Sequence, residues 1–232
     1  MRKYLLIMAA AIAAAAVFAI GLQAKKPSKA PLFEPYFSYP ATDTARPDSA
    51  GFIRRWLLLD PIEKPNRSNT VFTDSYLREA FHTEYFPGQF TAWPVSGQTV
   101  RAGKQKLAWH GLDSNRFNVK LFRFATLQEQ PCYGVLFWAV TAIDCEEDIP
   151  DVRMAVGSNS ASMWWLDGEE VLMLSGDRRM VQDDAVSRRL TLHKGRNIVR
   201  GAIINGPGMS DFCLRFLDEH GRPVTNFTVS IL

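Results

Sequence analysis

Between Arg153 and Pro223 the chain repeats one pattern, an alternating apolar stretch that stops at a turn residue. Trp164-Trp165-Leu166 runs into Asp167-Gly168, and Leu190-Thr191-Leu192 into Lys194-Gly195 ahead of Asn197; Phe212 to Phe216 follows the loop Asn205 to Asp211. A period of two, ended by glycine-bearing turns, writes half-buried antiparallel sheet. Upstream, Phe52 to Pro61 is apolar, rich in β-formers and closed by proline, which predicts a strand entering the core. Thr99-Val100 and Lys106 to His110 predict a hairpin through Ala102-Gly103, and Phe117 to Ala125 alternates as a strand with apolar groups on both faces. Tyr133 to Ile143 is nearly continuous in apolar residues and belongs in the middle of a sheet covered on both sides. Thr73 to Tyr85 departs from this pattern: Thr73 or Asp74 can cap, Leu77, Ala80 and Phe81 fall at helical spacing, and Pro87-Gly88 closes the segment. The expectation is an all-β fold, an antiparallel β-sandwich of the jelly-roll type with one short helix.

The first 24 residues have another character. Arg2-Lys3 precede the apolar run Tyr4 to Gly21, and small Ala24 stands before Lys25-Lys26, the layout of a cleaved export signal. An uncleaved transmembrane anchor is the alternative, since the run is close to the ~18 residues that span a bilayer; membrane association is expected only in that case. Residues 25–50, rich in Pro, Ala, Ser and Asp with Phe33, Tyr36, Phe37 and Tyr39 scattered among them, read as a linker whose middle lies against the domain. The β-sandwich domain is then 51–232, in an exported protein of periplasm, cell surface or exterior.

Charge narrows the partners. Losing Arg2 and Lys3 brings the formal charge from +3 to about +1, and no basic block remains of the kind that neutralises phosphates, which argues against nucleic acid. The three cysteines are too few for a disulfide scaffold in a chain of this length. Cys132 and Cys145 bracket a strand-like run whose ends, if straight, lie on the order of 40 Å apart, against a disulfide limit of ~7 Å. Cys213 bonded to one of them and three free thiols both stay open.

The order Trp165-Leu166-Asp167-Gly168, Leu190-x-Leu192-x-x-Gly195-x-Asn197 and Phe212-Cys213-Leu214-Arg215-Phe216 resembles galactose-binding-like jelly rolls. Phe52 to Trp56, Glu84 to Pro87, Gly157 to Trp165 and Asp211 to Cys213 are similar to exported proteins of gut Bacteroidetes that are named acetylxylan esterases or found beside them. The resemblance covers Gly51 to Leu232 and implies a role in plant-polysaccharide use, of xylan type, beside a polysaccharide-degrading enzyme.

Ester hydrolysis needs an activated serine, a histidine base and an oxyanion hole. Gly157-Ser158-Asn159-Ser160-Ala161 is the nearest approach to a nucleophile elbow, yet it lacks the second glycine and leads into strand pattern instead of helix. Ser158 or Ser160 with His110, the histidine flanked by Trp109 and Asp113, is the candidate set if the protein is an esterase; His193 and His220 sit in solvated turns. Asp144, Glu146, Glu147, Asp148 and Asp151 form an acidic run in which Asp144, Glu146 and Asp148 are candidate calcium ligands, without the alternation or central glycine of a calcium loop. No other cofactor is implied.

Sugar recognition sets flat aromatic faces against C–H surfaces and places amides and carboxylates on hydroxyls. Along 162–167, Trp164 shares a face with Leu166 and Trp165 with Asp167, which assigns Trp164 to the core and Trp165 to a binding surface. Trp93, in the loop before Pro94, is the second stacking candidate. Asp167, Asn205 and Asp211 are the hydrogen-bonding candidates, the last two flanking a loop whose glycines permit close approach of a ligand. The expected function is an exported, non-catalytic carbohydrate-binding or accessory domain; an acetylxylan esterase and a protein-binding adaptor are the alternatives.

Overall fold

The structure, a computed structural model, describes residues 32–66 and 68–231. The expected export signal and the start of the linker lie outside them. In chain order the strands are β1 (Phe37–Ser38), β2 (Thr44–Ala45), β3 (Arg55–Leu59), β4 (Ile62–Glu63), β5 (Thr99–Ala102), β6 (Gln105–Ser114), β7 (Val135–Cys145), β8 (Ile149–Ser158), β9 (Ala161–Leu166), β10 (Glu169–Leu174), β11 (Ala185–Val186), β12 (Leu190–Leu192), β13 (Gly195–Asn205), β14 (Phe212–Leu217) and β15 (Thr228–Ser230). Among the described residues two α-helices interrupt them, α1 (Asp74–His82) and α2 (Leu121–Leu127), with a short 3-10 helix at Asn69–Val71.

The strands form an antiparallel β-sandwich. The larger sheet has the order β1-β6-β3-β7-β13-β9-β10, with β4 and β15 added to β7, β5 to β6 and β2 to β15; in the smaller, β8 pairs with β11, β12 and β14. As its apolar run predicts, β7 is central: it pairs with β13 along its whole length, from Val135↔Asn205 to Cys145↔Gly195, and buries every residue except Asp144. The hairpin expected through Ala102-Gly103 forms, with Ala102 opposite Gln105.

Two cores follow from the two faces of the larger sheet. Between the sheets, Trp56, Trp164 and Phe212 meet with ring centroids 5.0 to 6.1 Å apart, joined by Leu214 and Phe216 of β14. Gly201 on β13 makes room for this cluster, since a Cβ there would fall 2.3 Å from the Trp164 ring. On the outer face, Trp109, Trp138, Met163 and Trp165 are covered by α1 and the stretch that follows it. Helix α1 forms as its sequence predicts: the Thr73 hydroxyl accepts from the Tyr76 amide, and Leu77, Ala80 and Phe81 are its buried residues.

Two segments differ from expectation. The strand expected over Phe117–Ala125 persists only at Val119, which exchanges two backbone bonds with Phe212; the chain then turns into α2. Its apolar residues satisfy both periods, and the helical one buries Leu121, Phe124 and Ala125 together. The linker expected up to residue 50 is, from Leu32 onward, part of the compact unit. Phe33 and Phe37 are 1% exposed, Phe33 stacks on Phe124, and β1 and β2 join the sheet through β6 and β15.

The turns behave as their residues require. Asp167 and Gly168 take φ of +51° and +88° between Leu166 and its partner Glu169, the two left-handed positions of a tight hairpin loop. The motif Gly195-x-Asn197 is a staple: buried Asn197 donates to the carbonyls of His193 and Ile143 and accepts from the His193 amide at 2.7 Å, locking the β12–β13 turn to β7.

Candidate functional site

Much of what the sequence offers as a binding surface is internal. Trp165 does face away from Trp164, but it is only 4% exposed. Trp138 lies beside it at 5.4 Å, and Phe90 and His82 press edge-on at 5.9 and 6.1 Å. The cover is held by Arg200 on β13, itself buried, whose Nη2 donates to the Ala92 carbonyl at 3.0 Å. Burial lowers the Arg200 pKa, and the charge of Asp167 opposes that shift. Trp165 therefore presents no face to a ligand. Trp93 is half-buried, and one side of its ring is taken by the Arg196 guanidinium at 5.6 Å.

Asn205 and Asp211 are struts. Asn205 receives the Ser160 hydroxyl and donates to the carbonyls of Cys132 and Gly208. Asp211 accepts from Lys120 Nζ at 2.5 Å, and its amide donates to Asn159 Oδ1. Its loop does permit close approach, but of the chain itself: a Cβ on Gly206 would lie 2.1 Å from Asn69 Oδ1 and 2.6 Å from Asn66 Oδ1.

The esterase set is not assembled. Ser158 is fully buried and donates to the Ser160 carbonyl at 2.6 Å, while Ser160 donates to Asn205 and the Met209 carbonyl. His110 is bonded to Asp60 at 2.9 Å and packed between Phe33 and Phe124. No serine hydroxyl within the described residues reaches a histidine, so the nucleophile–base contact is missing. The acidic run is likewise spoken for in part. Asp144 is held by Arg196 and Ser230, Asp148 accepts from the Lys194 amide, and Glu146 is exposed. Among the described residues no group of three His, Cys, Asp or Glu is placed to hold a metal.

The remaining candidate, Asp167, does lie on a concave surface. It lines a groove of about 430 Å³ at one end of the sandwich, where the β9–β10 hairpin of the larger sheet meets β8 and β12 of the smaller. The apolar floor is Leu166, Val171 and Leu190, and Asp151, Asp167, Glu169, Arg188, Arg189 and His193 stand around it. Arg188 reaches Glu169 at 2.9 Å and Arg189 reaches Asp151 at 3.5 Å, both exposed pairs. Exposed ion pairs contribute little to stability, so their donors and acceptors are free to turn to a ligand at small cost. One oxygen of Asp167 accepts from the Ile198 amide at 2.6 Å, and the other makes no hydrogen bond within the described residues. His193, read from sequence as a solvated turn residue, is exposed as expected, but on the groove wall.

The groove thus offers carboxylates, two guanidinia, an imidazole and the Thr191 hydroxyl over an apolar strip, a set that suits a polyhydroxylated ring. Among the described residues its lining has no Phe, Tyr or Trp. Asp151, Glu169, Arg188 and His193 come from four separate stretches, and the sequence marked them only piecemeal, at the Asp167-Gly168 and Lys194-Gly195 turns and in the acidic run.

No protein-family model matches the chain, and no curated protein does. Among solved structures it is similar to the PA14 sugar-binding domain from an RTX adhesin, with a TM-score of 0.42 and 8% identity over 75% of this chain and 96% of that one. It is also similar to the PA14 domain of the MpAFP antifreeze protein, with a TM-score of 0.41 and 12% identity over 82% and 96% of the two chains. A third similarity, to a β-glucosidase from Kluyveromyces marxianus, has a TM-score of 0.32 and 22% identity, and spans 47% of this chain and 12% of that one.

Proposed function

We propose that this domain is an exported carbohydrate-binding module that holds a short stretch of plant polysaccharide, of xylan type, in the groove between the β9–β10 hairpin and β12, in support of a degrading enzyme. The observation that carries this reading is the groove: about 430 Å³ of open space, walled by paired but exposed charges above Leu166 and Leu190. Hydroxyls of the sugar replace the Arg188–Glu169 and Arg189–Asp151 contacts one for one, the free oxygen of Asp167 accepts a further hydroxyl, and the apolar floor receives the C–H face. Binding rests on hydrogen bonds made in place of weak surface pairs, and not on stacking against Trp165.

Affinity electrophoresis through gels containing xylans, mannans, pectins or β-glucans tests this. Retardation by xylan that disappears in Glu169→Ala and Arg188→Ala supports the groove. Retardation by no polymer, or retardation untouched by either substitution, overturns it. Trp165→Ala is the control for the core: it loses about 3–5 kcal/mol of stability by opening a cavity, and wherever it stays folded it binds as the parent does.

A further inference from the structure

A second concavity shares no residue with the groove. It measures about 180 Å³, lies where β1 and β2 close on β6, β3 and β15, and is lined by Ser38, Arg46, Arg54, Arg55, Asp113 and Asn115 among others. Three guanidinia here share one carboxylate, and that carboxylate is already paired with Arg55. Arg55, 3% exposed, grips Asp113 with Nε and Nη2 at 2.8 Å each and donates Nη1 to the Thr42 carbonyl at 2.7 Å. That fork takes one lone pair from each Asp113 oxygen, and the Arg55 charge balances that of Asp113. Arg46 and Arg54 are exposed and make no ion pair or side-chain hydrogen bond within the described residues, and Arg116, next to Asn115, is in the same position. The pocket therefore has a rigid, neutralised floor and a surplus of positive charge at its mouth.

We infer that this pocket binds the carboxylate of an acidic sugar, a uronic acid unit. A guanidinium fork matches a carboxylate in plane and spacing, and two unpaired ones at a concave site attract an anion. Bare phosphate or sulfate would leave most of the 180 Å³ unfilled. A sugar ring fills it and brings hydroxyls to Ser38 and Asn115, exposed residues whose mutual bond, Ser38 Oγ donating to Asn115 Oδ1 at 3.1 Å, leaves the hydroxyl oxygen of Ser38 able to accept. The choice of a sugar as carrier rests on the carbohydrate reading above; the preference for a carboxylate stands on the arginines alone.

Titration calorimetry of the purified protein with sodium glucuronate, glucose, sulfate and phosphate tests it, using the double variant Arg46→Gln/Arg54→Gln and, separately, the groove variant Arg188→Ala/Arg189→Ala. Glucuronate binding that weakens at least tenfold in Arg46→Gln/Arg54→Gln, persists in the groove variant and falls as salt is raised supports the pocket. Glucuronate binding equal in parent and Arg46→Gln/Arg54→Gln, or lost only in the groove variant, overturns it. Sulfate or phosphate binding as tightly as glucuronate overturns the assignment to a sugar acid. Because xylan retardation reads the groove and glucuronate reads the arginines, either proposal can fail while the other stands.

Discussion

Lys120 Nζ lies 2.5 Å from Oδ2 of Asp211, a carboxylate whose side chain is only 4% exposed. Burial pushes the Asp211 carboxyl above its ordinary range even though Lys120 and Arg123 pull it down. Among the described residues, Oδ1 of the same group has no hydrogen-bond partner. The pair ties the entry to α2 to the start of β14, and its two halves are unequal. Lys120 is 24% exposed and can carry its ammonium to water if its partner goes. Asp211 has no such exit. Lys120→Met should therefore cost about 3 kcal/mol by leaving a buried carboxylate without its cation, held only by the 3.4 Å bond from Asn118 Nδ2, and Asp211→Asn distinctly less. Urea unfolding of both variants checks this; equal losses would mean that the lysine is as confined as the carboxylate.

Gly201 is the point at which Trp164 meets the backbone of β13. Gly201→Ala places a methyl carbon 2.3 Å from the ring, which cannot move far because Trp56 and Phe212 hold its other sides. A loss of at least 1–3 kcal/mol is expected from overpacking, with a weakened near-ultraviolet circular dichroism signal from Trp164. A methyl accepted without change in either measurement would show that the inter-sheet core is looser than its contacts indicate.

Acid sensitivity should be carried in part by Asp144. Partial burial works against its charge, but hydrogen bonds from Arg196 and Ser230 and the nearby guanidinium outweigh that, and its pKa is lowered in the fold. A carboxyl lowered on folding contributes stability that is fully present above its unfolded value of about 4 and is lost as pH falls through the folded value. Melting temperatures measured from pH 7 to pH 2 should drop more steeply below about pH 4 in the parent than in Asp144→Asn. Parallel curves would remove Asp144 from the account.

The three thiols differ in access. Cys145 and Cys213 are buried, and burial is the main cause that pushes each thiol up to about 11; Cys132 is partly exposed, with a smaller upward shift. A thiol reagent at pH 8 should modify Cys132 in the folded protein and reach the other two only on unfolding, because the thiolate is the reactive form. Fast modification of all three would place the buried pair nearer the surface.

Sequence reasoning succeeded where a local signal had a local cause. The apolar run at 133–143, the Asp167-Gly168 turn and the Thr73 cap each depend on neighbours a few residues away, and each appears in the fold. It erred where a second layer decided the outcome. The alternation of Trp164 and Trp165 correctly put them on opposite faces, yet Phe90 and His82, which cover Trp165, announce nothing of the kind in the sequence. The groove was harder still, because Asp151, Glu169 and Arg188 converge only after β8, β10 and β12 are placed. Phe117 to Ala125 failed for another reason: its apolar residues fit two periods, and packing against Phe33 and Phe37 favoured the helix.

The early strands β1 and β2 have a practical side. A gene truncated to start at Gly51, the border that composition alone suggests, would leave the outer edges of β6 and β15 without partners and remove Phe33 and Phe37 from beside Phe124. Unpaired strand edges next to bared aromatic rings are templates for association. Such a shortened product should pass into aggregates at concentrations where a version beginning before Leu32 stays monomeric, and it would also lack Ser38, Ala45 and Arg46 from the wall of the arginine pocket.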